Sequence, residues 1–283
     1  MEHTLTNTCC TMGIWNRAVI CLILLLTTPA VIRPVITDQT IPDITDQNFI
    51  NDCVGEHNQG RSNVNPPASN MRYMSWDEGL AVTARAWARN CLFVHNIYLR
   101  DSSKVHPVFK SVGENLWAGT WFRVKDAIHA WVNELQHYTY ETMSCSKVCG
   151  HYTQVVWGNS YKVGCAVQFC PKGIKETTFS HKPGYIFVCN YATAGNYRGQ
   201  KPYITGSPCS NCSGEKCENK LCRNSTRDAL KRYNWTPSWD PALSECGSFC
   251  KAVLITRPVS LLIIFISVYC IQHYYPNLFA YTS

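Results

Sequence analysis

Four side chains of this 283-residue chain are of the types that proton transfer or metal binding uses: His95, Glu114, Glu134 and His151. Neutral imidazole offers one ring nitrogen to a metal, and a carboxylate ligates or orients it. Two of each, brought together, would hold a divalent zinc ion or move protons. Their spacing along the chain leaves convergence to the fold, and each residue alone reads equally well as a surface or capping group. A hydrolytic reading lacks a marked nucleophile. There is no HExxH, and no motif surrounds a serine, although Ser111 and Ser144 lie near these residues in sequence.

The elements that must position these groups follow from periodicity. His151 stands at the head of GHYTQVVWGNS (150–160), whose alternation predicts a strand. Val155 and Trp157 would face one side and Gln154 and Val156 the other, with the strand resuming at Val163 to form a hairpin. A helix is expected from about Asn48, capped by Asp46 or Thr45, with Phe49, Ile50, Cys53, Val54 and His57 at helical spacing. Residues 74–90 predict a second helix and 124–138 a third, the latter turning Ile128, Trp131, Val132 and Leu135 inward. Residues 97–112 read as a loop and 185–191 as the last strong strand. Helices first and strands later imply an α+β domain, with helices stacked on a small antiparallel sheet.

Composition bounds the setting. The chain carries 17 cysteines, most of them after Cys145, a density that fits an oxidising compartment. Its net charge of +7 is spread without a basic stripe, so nucleic acid is not an expected partner. The apolar run within residues 18–28, with small residues before Ala30, reads as a signal peptide over 1–30, an uncleaved anchor being the alternative. A short arm (31–47) leads into the principal domain (48–203). Residues 204–222 form a cysteine knot too small for a core of its own, in which disulfides are favoured over zinc. Residues 223–251 read as a polar stalk bearing glycosylation sequons at Asn224 and Asn234. Residues 252–275 read as a transmembrane helix, although Arg257-Pro258 leaves only 259–271 uninterrupted, and 276–283 as a short tail. A glycolipid-anchor signal near 244–248 is the alternative. The expected placement is the secretory pathway, as a single-pass membrane protein with its domain outside. A secreted or lipid-anchored form is the runner-up.

Four motifs in order carry a resemblance. GHYTQVVWGNS (150–160) and FVCNYATAGNY (187–197) look like the two signatures of the CAP superfamily of cysteine-rich secretory, antigen 5 and pathogenesis-related type 1 proteins. His57-Asn58-Gln59-Gly60-Arg61 matches its HNxxR motif, and Gly113-Glu114-Asn115-Leu116 its GEN motif. The resemblance covers about 45–222 and is most similar to the glioma pathogenesis-related branch. It implies a three-layer α-β-α sandwich with a small disulfide-rich C-terminal extension. It also implies a cleft that gathers His95, Glu114, Glu134 and His151. Zinc is the implied cofactor, bound through His95 and His151, with Glu114 and Glu134 orienting the imidazoles or holding water. His57, Arg61 and Asn115 are implied to be structural, and Asn190 and Asn196 to serve turns. The implied disulfides are Cys91–Cys170, Cys165–Cys189, Cys145–Cys149, Cys209–Cys217 and Cys212–Cys222, leaving Cys53 as a buried thiol. Such proteins suggest a non-catalytic module that binds metal, lipid or sterol, or an extracellular protein partner. A metal-assisted hydrolase is the alternative.

Overall fold

The computed structural model describes residues 41–244 and 248–275. The expected signal peptide, the arm as far as residue 40 and the tail at 276–283 lie outside the described residues. Helix α1 (Gln47–Ser62) begins where Asp46 accepts hydrogen bonds from the backbone N–H groups of Asn48 and Phe49, a cap worth about 1 kcal/mol. Its buried stripe, Phe49, Cys53, His57 and Arg61, repeats every four residues. Strand β1 (Ser75–Trp76) precedes α2 (Glu78–Ala88), which Asp77 caps at Leu80 N. The helix expected from residue 74 therefore begins four residues later.

Then come β2 (Gly113–Gly119), α3 (Val124–Val132), β3 (Tyr138–Thr139), β4 (Ser144–Cys145) and α4 (Gly150–Val155). Strands β5 (Lys162–Cys170), β6 (Gly184–Ala192), β7 (Lys216–Glu218) and β8 (Leu221–Arg223) follow. The main sheet has the order β1-β5-β6-β2, antiparallel except for β1 against β5. One face carries α1 and α3, through Phe49 and Trp131 against Phe187. The other carries α2, which approaches so closely at Gly164 that a Cβ there would overlap the backbone of Asp77 and Ala81. The result is a three-layer α+β sandwich. All five implied disulfides are present, and Cys53 is a free, fully buried thiol.

Several expectations are corrected. The run 150–157 is not a strand: residues 150–155 form α4, and Gln154, Val155, Val156 and Trp157 are all buried, without alternation. Both ends of this short helix are satisfied from elsewhere in the fold. Glu134 accepts from the backbone N–H groups of His151 and Tyr152, and Arg61 donates to the carbonyls of Val155 and Trp157. The hairpin partner of β5 is β6. The third helix ends at Val132 and tightens to a 3-10 turn over Asn133–His137, which leaves Leu135 50% exposed. The loop 97–112 contains two further 3-10 turns, Ile97–Arg100 and Ser102–Lys104.

The stretch read as a stalk is laid back on the domain as far as residue 240. It includes two short helices, α5 (Ser225–Asp228) and α6 (Pro241–Ser244). Lys162 Nζ donates to Ala229 O at 2.7 Å, Tyr233 Oη donates to Asp77 at 3.0 Å, and Trp239 stacks on Tyr98 at 4.7 Å. Asp240 closes the strap with an ion pair to Arg89 at 2.6 Å. Alternating polar and aromatic residues conceal this in the sequence, because the partners lie 67 or more residues upstream. Of the two sequons, Asn234 is exposed, whereas Asn224 is half-buried and caps α5 through Arg227 N. Finally, α7 (Ser248–Tyr274) runs through Pro258 without ending. Its stretch Cys250–Tyr274 contains an 18-residue window with a mean hydropathy of 2.1 and is long and apolar enough to cross a membrane.

Candidate functional site

The site is built around β2, the edge strand. Side chains alternate along it, so Glu114 and Asn115 point to opposite faces of the sheet. Glu114 shares its row with Asn190 and Gly164 and faces α2. Its Oε1 accepts from Asn96 N at 2.8 Å and lies 2.9 Å from His95 Nδ1. The carboxyl is 1% exposed and the imidazole 63% exposed, so a buried carboxylate holds a ring that stands in solvent. The hydrogen bond with Glu114 raises the His95 pKa. Burial raises that of Glu114 against the bonds from His95 and Asn96, so both effects retain a proton in the pair.

The second pair lies on the α1 and α3 face. Glu134 Oε1 is 2.6 Å from His151 Nδ1, while Oε2 takes the His151 and Tyr152 amides. Trp131 stacks on the ring at 6.2 Å. Asn115 ties this side to the strand by donating to His151 O at 3.1 Å and to Tyr191 Oη at 3.2 Å.

The fold therefore brings the four residues together two by two. Among the described residues no three His, Cys, Asp or Glu side chains are grouped so as to hold a metal ion. What they share is orientation. In each pair the carboxylate engages Nδ1, which leaves Nε2 as the ring nitrogen for a ligand. The donor chemistry of each pair suits zinc, and one ion shared by both imidazoles would have to lie at the free edge of β2, between the two faces, with its remaining positions filled from outside the pairs. Glu134→Ala is expected to cost about 1–2 kcal/mol, because the N-terminal amides of α4 lose their acceptor. Glu134→Gln, which keeps an acceptor oxygen, should cost less. Urea unfolding of the three proteins checks this.

The residues implied to be structural sit beneath the pairs. His57 Nδ1 is 2.7 Å from the Cys53 carbonyl, so it must carry the proton, and Nε2 accepts from Tyr191 O–H at 2.8 Å. Arg61, 1% exposed, donates to the carbonyls of Arg72, Val155, Trp157, Gly158 and Ser160. Asn196, in the left-handed region at φ +58° just before the turn at 197–200, binds Thr153 and Gly150 at the start of α4. Asn190 serves no turn: it lies in the middle of β6, fully buried, and neither amide atom has a hydrogen-bond partner. Three groups were not singled out in the sequence. Tyr191 joins His57 to Asn115. Gln154 bridges Ser160 and Gly195 N. Asp77 holds the buried His106 at 3.0 Å. Gln154 and Tyr191 lie within the two signature motifs, which mark the residues but not the partners the fold gives them, and Asp77 lies in none of the four motifs. Neither nominated serine meets an imidazole: Ser111 pairs with Tyr197 and Ser144 with Thr142.

The model of the CAP cysteine-rich secretory protein family matches residues 54–191. The chain is 51% identical over 219 residues to GLIPR1-like protein 1 of Bos taurus, covering 76% of this chain and 88% of that one. It is 46% identical over 247 residues to glioma pathogenesis-related protein 1 of Mus musculus, covering 86% and 91%. Among solved structures, Na-ASP-1 is similar at a TM-score of 0.50 and 25% identity, covering 65% of this chain and 51% of that one.

Proposed function

The chain belongs to the cysteine-rich secretory protein (CAP) family, and on that premise we propose that it is a membrane-tethered extracellular binding module without catalytic activity. Its histidines take zinc, and its surface takes a lipid, a sterol or a protein partner. One observation carries the reading: both imidazoles are oriented by carboxylates through Nδ1, and Ser111 and Ser144 are paired elsewhere, with Tyr197 and Thr142. Carboxylate-oriented imidazole is the arrangement that raises ligand basicity. Bound zinc would supply a Lewis-acidic centre for a ligand group. His95 and His151 would hold it, and Glu114 and Glu134 would keep the rings in the binding tautomer. A groove of about 310 Å³ between α1 and the end of α3 sets Val132, Tyr138 and Tyr152 against Glu56, Asn63 and His129, a mixed lining suited to an amphipathic ligand such as a lipid with its headgroup.

Zinc calorimetry on residues 41–244 near neutral pH, with disulfides verified, tests the metal site. Saturable binding is expected, and the His95→Ala/His151→Ala double variant should lose it while still unfolding in one cooperative transition, at a lower midpoint because Glu114 and Glu134 lose their imidazole partners. A correctly folded parent that takes up no zinc would remove the metal from this reading.

A further inference from the structure

Little chain separates the docked strap from the apolar helix. Ser244 closes α6 and Ser248 opens α7, and four Cα-to-Cα steps reach at most about 15 Å. α6 itself begins beside Asp240, which Arg89 anchors to α2. At 27 residues α7 is about 40 Å long, the thickness of a bilayer including its headgroups, so its first residues stand at headgroup level. The strap therefore keeps one particular face of the domain on a short leash above the membrane.

The chemistry of that face suits the position. The strap covers the loop that follows His95, with Trp239 Nε1 donating to Lys104 O and Tyr233 in edge contact with His106. Exposed cations line both segments: Arg100, Lys110 and Lys231, with Lys104 and Arg232 facing Asp101 and Glu78 at 3.5 and 3.9 Å. Among them stand Ile97, Val108, Leu230 and Leu243, each more than half exposed. Val108 and Lys231 line one concavity with Tyr161 and Tyr233. Aliphatic side chains set among cations are what an interfacial surface presents, the former entering the headgroup layer and the latter pairing with phosphates.

We propose that the face formed by the loop 96–110 and the strap 229–243 lies against the leaflet that α7 enters first. The domain then rests on the membrane instead of standing away from it. His95 opens beside the bilayer, where ligands carried on the membrane surface reach it first. This rests on the reading of α7 as a membrane span.

The test uses the full chain in phosphatidylcholine nanodiscs containing a minor share of phosphatidylserine and headgroup-labelled nitroxide lipid. Bimane is attached at Val108→Cys or, for comparison, at Val148→Cys, an exposed position beside α4 on the other side of the sheet, both in a Cys270→Ser background. The Val108 probe is expected to lose most of its fluorescence and the Val148 probe little. Inserting about a dozen Gly/Ser residues between 244 and 248 lengthens the leash and should weaken the Val108 quenching without abolishing it. Equal quenching at both sites, or stronger quenching at Val148, overturns the proposal. Asn234→Gln is run alongside, because a glycan on the strap could hold the face away. Quenching seen only in that variant also overturns the proposal for the glycosylated chain. Carbonate extraction separates the two readings: a chain released by carbonate refutes the span itself, whereas a retained chain with an unquenched Val108 probe refutes only the orientation.

Discussion

Arg61→Met is expected to remove about 3–5 kcal/mol of stability, the largest single-residue loss in the domain outside the disulfides. Among the described residues the buried guanidinium has no carboxylate partner. Its charge is balanced by five backbone carbonyls, four of them from Val155, which ends α4, to Ser160. Burial lowers its pKa only to about 9, so it stays charged at neutral pH. Methionine fills much of the volume but leaves those carbonyls buried and unpaired. Arg61→Lys keeps the charge with fewer donors and no planar fork, and should fall between the two. Urea unfolding without reductant measures all three. A loss below about 1 kcal/mol in the methionine variant would mean that water replaces the guanidinium, and would end the claim that Arg61 organises this segment.

Acidification should destabilise the protein by about 3 kcal/mol through His57 alone, between pH 6.5 and about 4. Burial depresses the folded-state pKa from 6.5 to about 4, the carbonyl bond from Cys53 opposing this and the Arg61 charge adding to it. As pH falls below 6.5 the unfolded chain takes up a proton that the folded one refuses, so stability declines until the folded imidazole also protonates near 4. His57→Gln removes this component and should give a flatter curve of stability against pH, though a lower stability at pH 7. Parallel slopes for parent and variant would show that His57 charges inside the fold at no cost. The His95–Glu114 pair acts in the opposite sense. Its raised pKa values favour the folded state at lower pH and lose that contribution as pH rises through them, so Glu114→Gln is the control that isolates His57.

Much of the architecture is written in local chemistry. Asp46 before a four-residue apolar repeat specifies α1, and the beads of valine, phenylalanine and cysteine at 163–170 and 185–191 specify β5 and β6. The four motifs identify the family before any coordinate is known, and with it all five disulfides. The apolar run 259–271 marks a helix able to cross a membrane, and Arg257-Pro258 does not end it, since the helix runs through them from Ser248 to Tyr274. In hydrocarbon a helix interrupted by one missing N–H remains the state that satisfies the other backbone groups.

Tertiary structure alone decided the rest. Residues 150–155 alternate like a strand yet form a helix, because Glu134 and Arg61, distant in sequence, satisfy its two ends. A polar, proline-containing stretch reads as a stalk until Arg89, Asp77 and Tyr98 are seen to receive it. Asn190, with neither end of its amide paired, lies in a strand position that its residue type disfavours. The identities of His95, Glu114, Glu134 and His151 are legible from the motifs. That they form two pairs on opposite faces of an edge strand follows from the side-chain alternation at Glu114 and Asn115 and from the register of β2 on β6, which no local pattern contains.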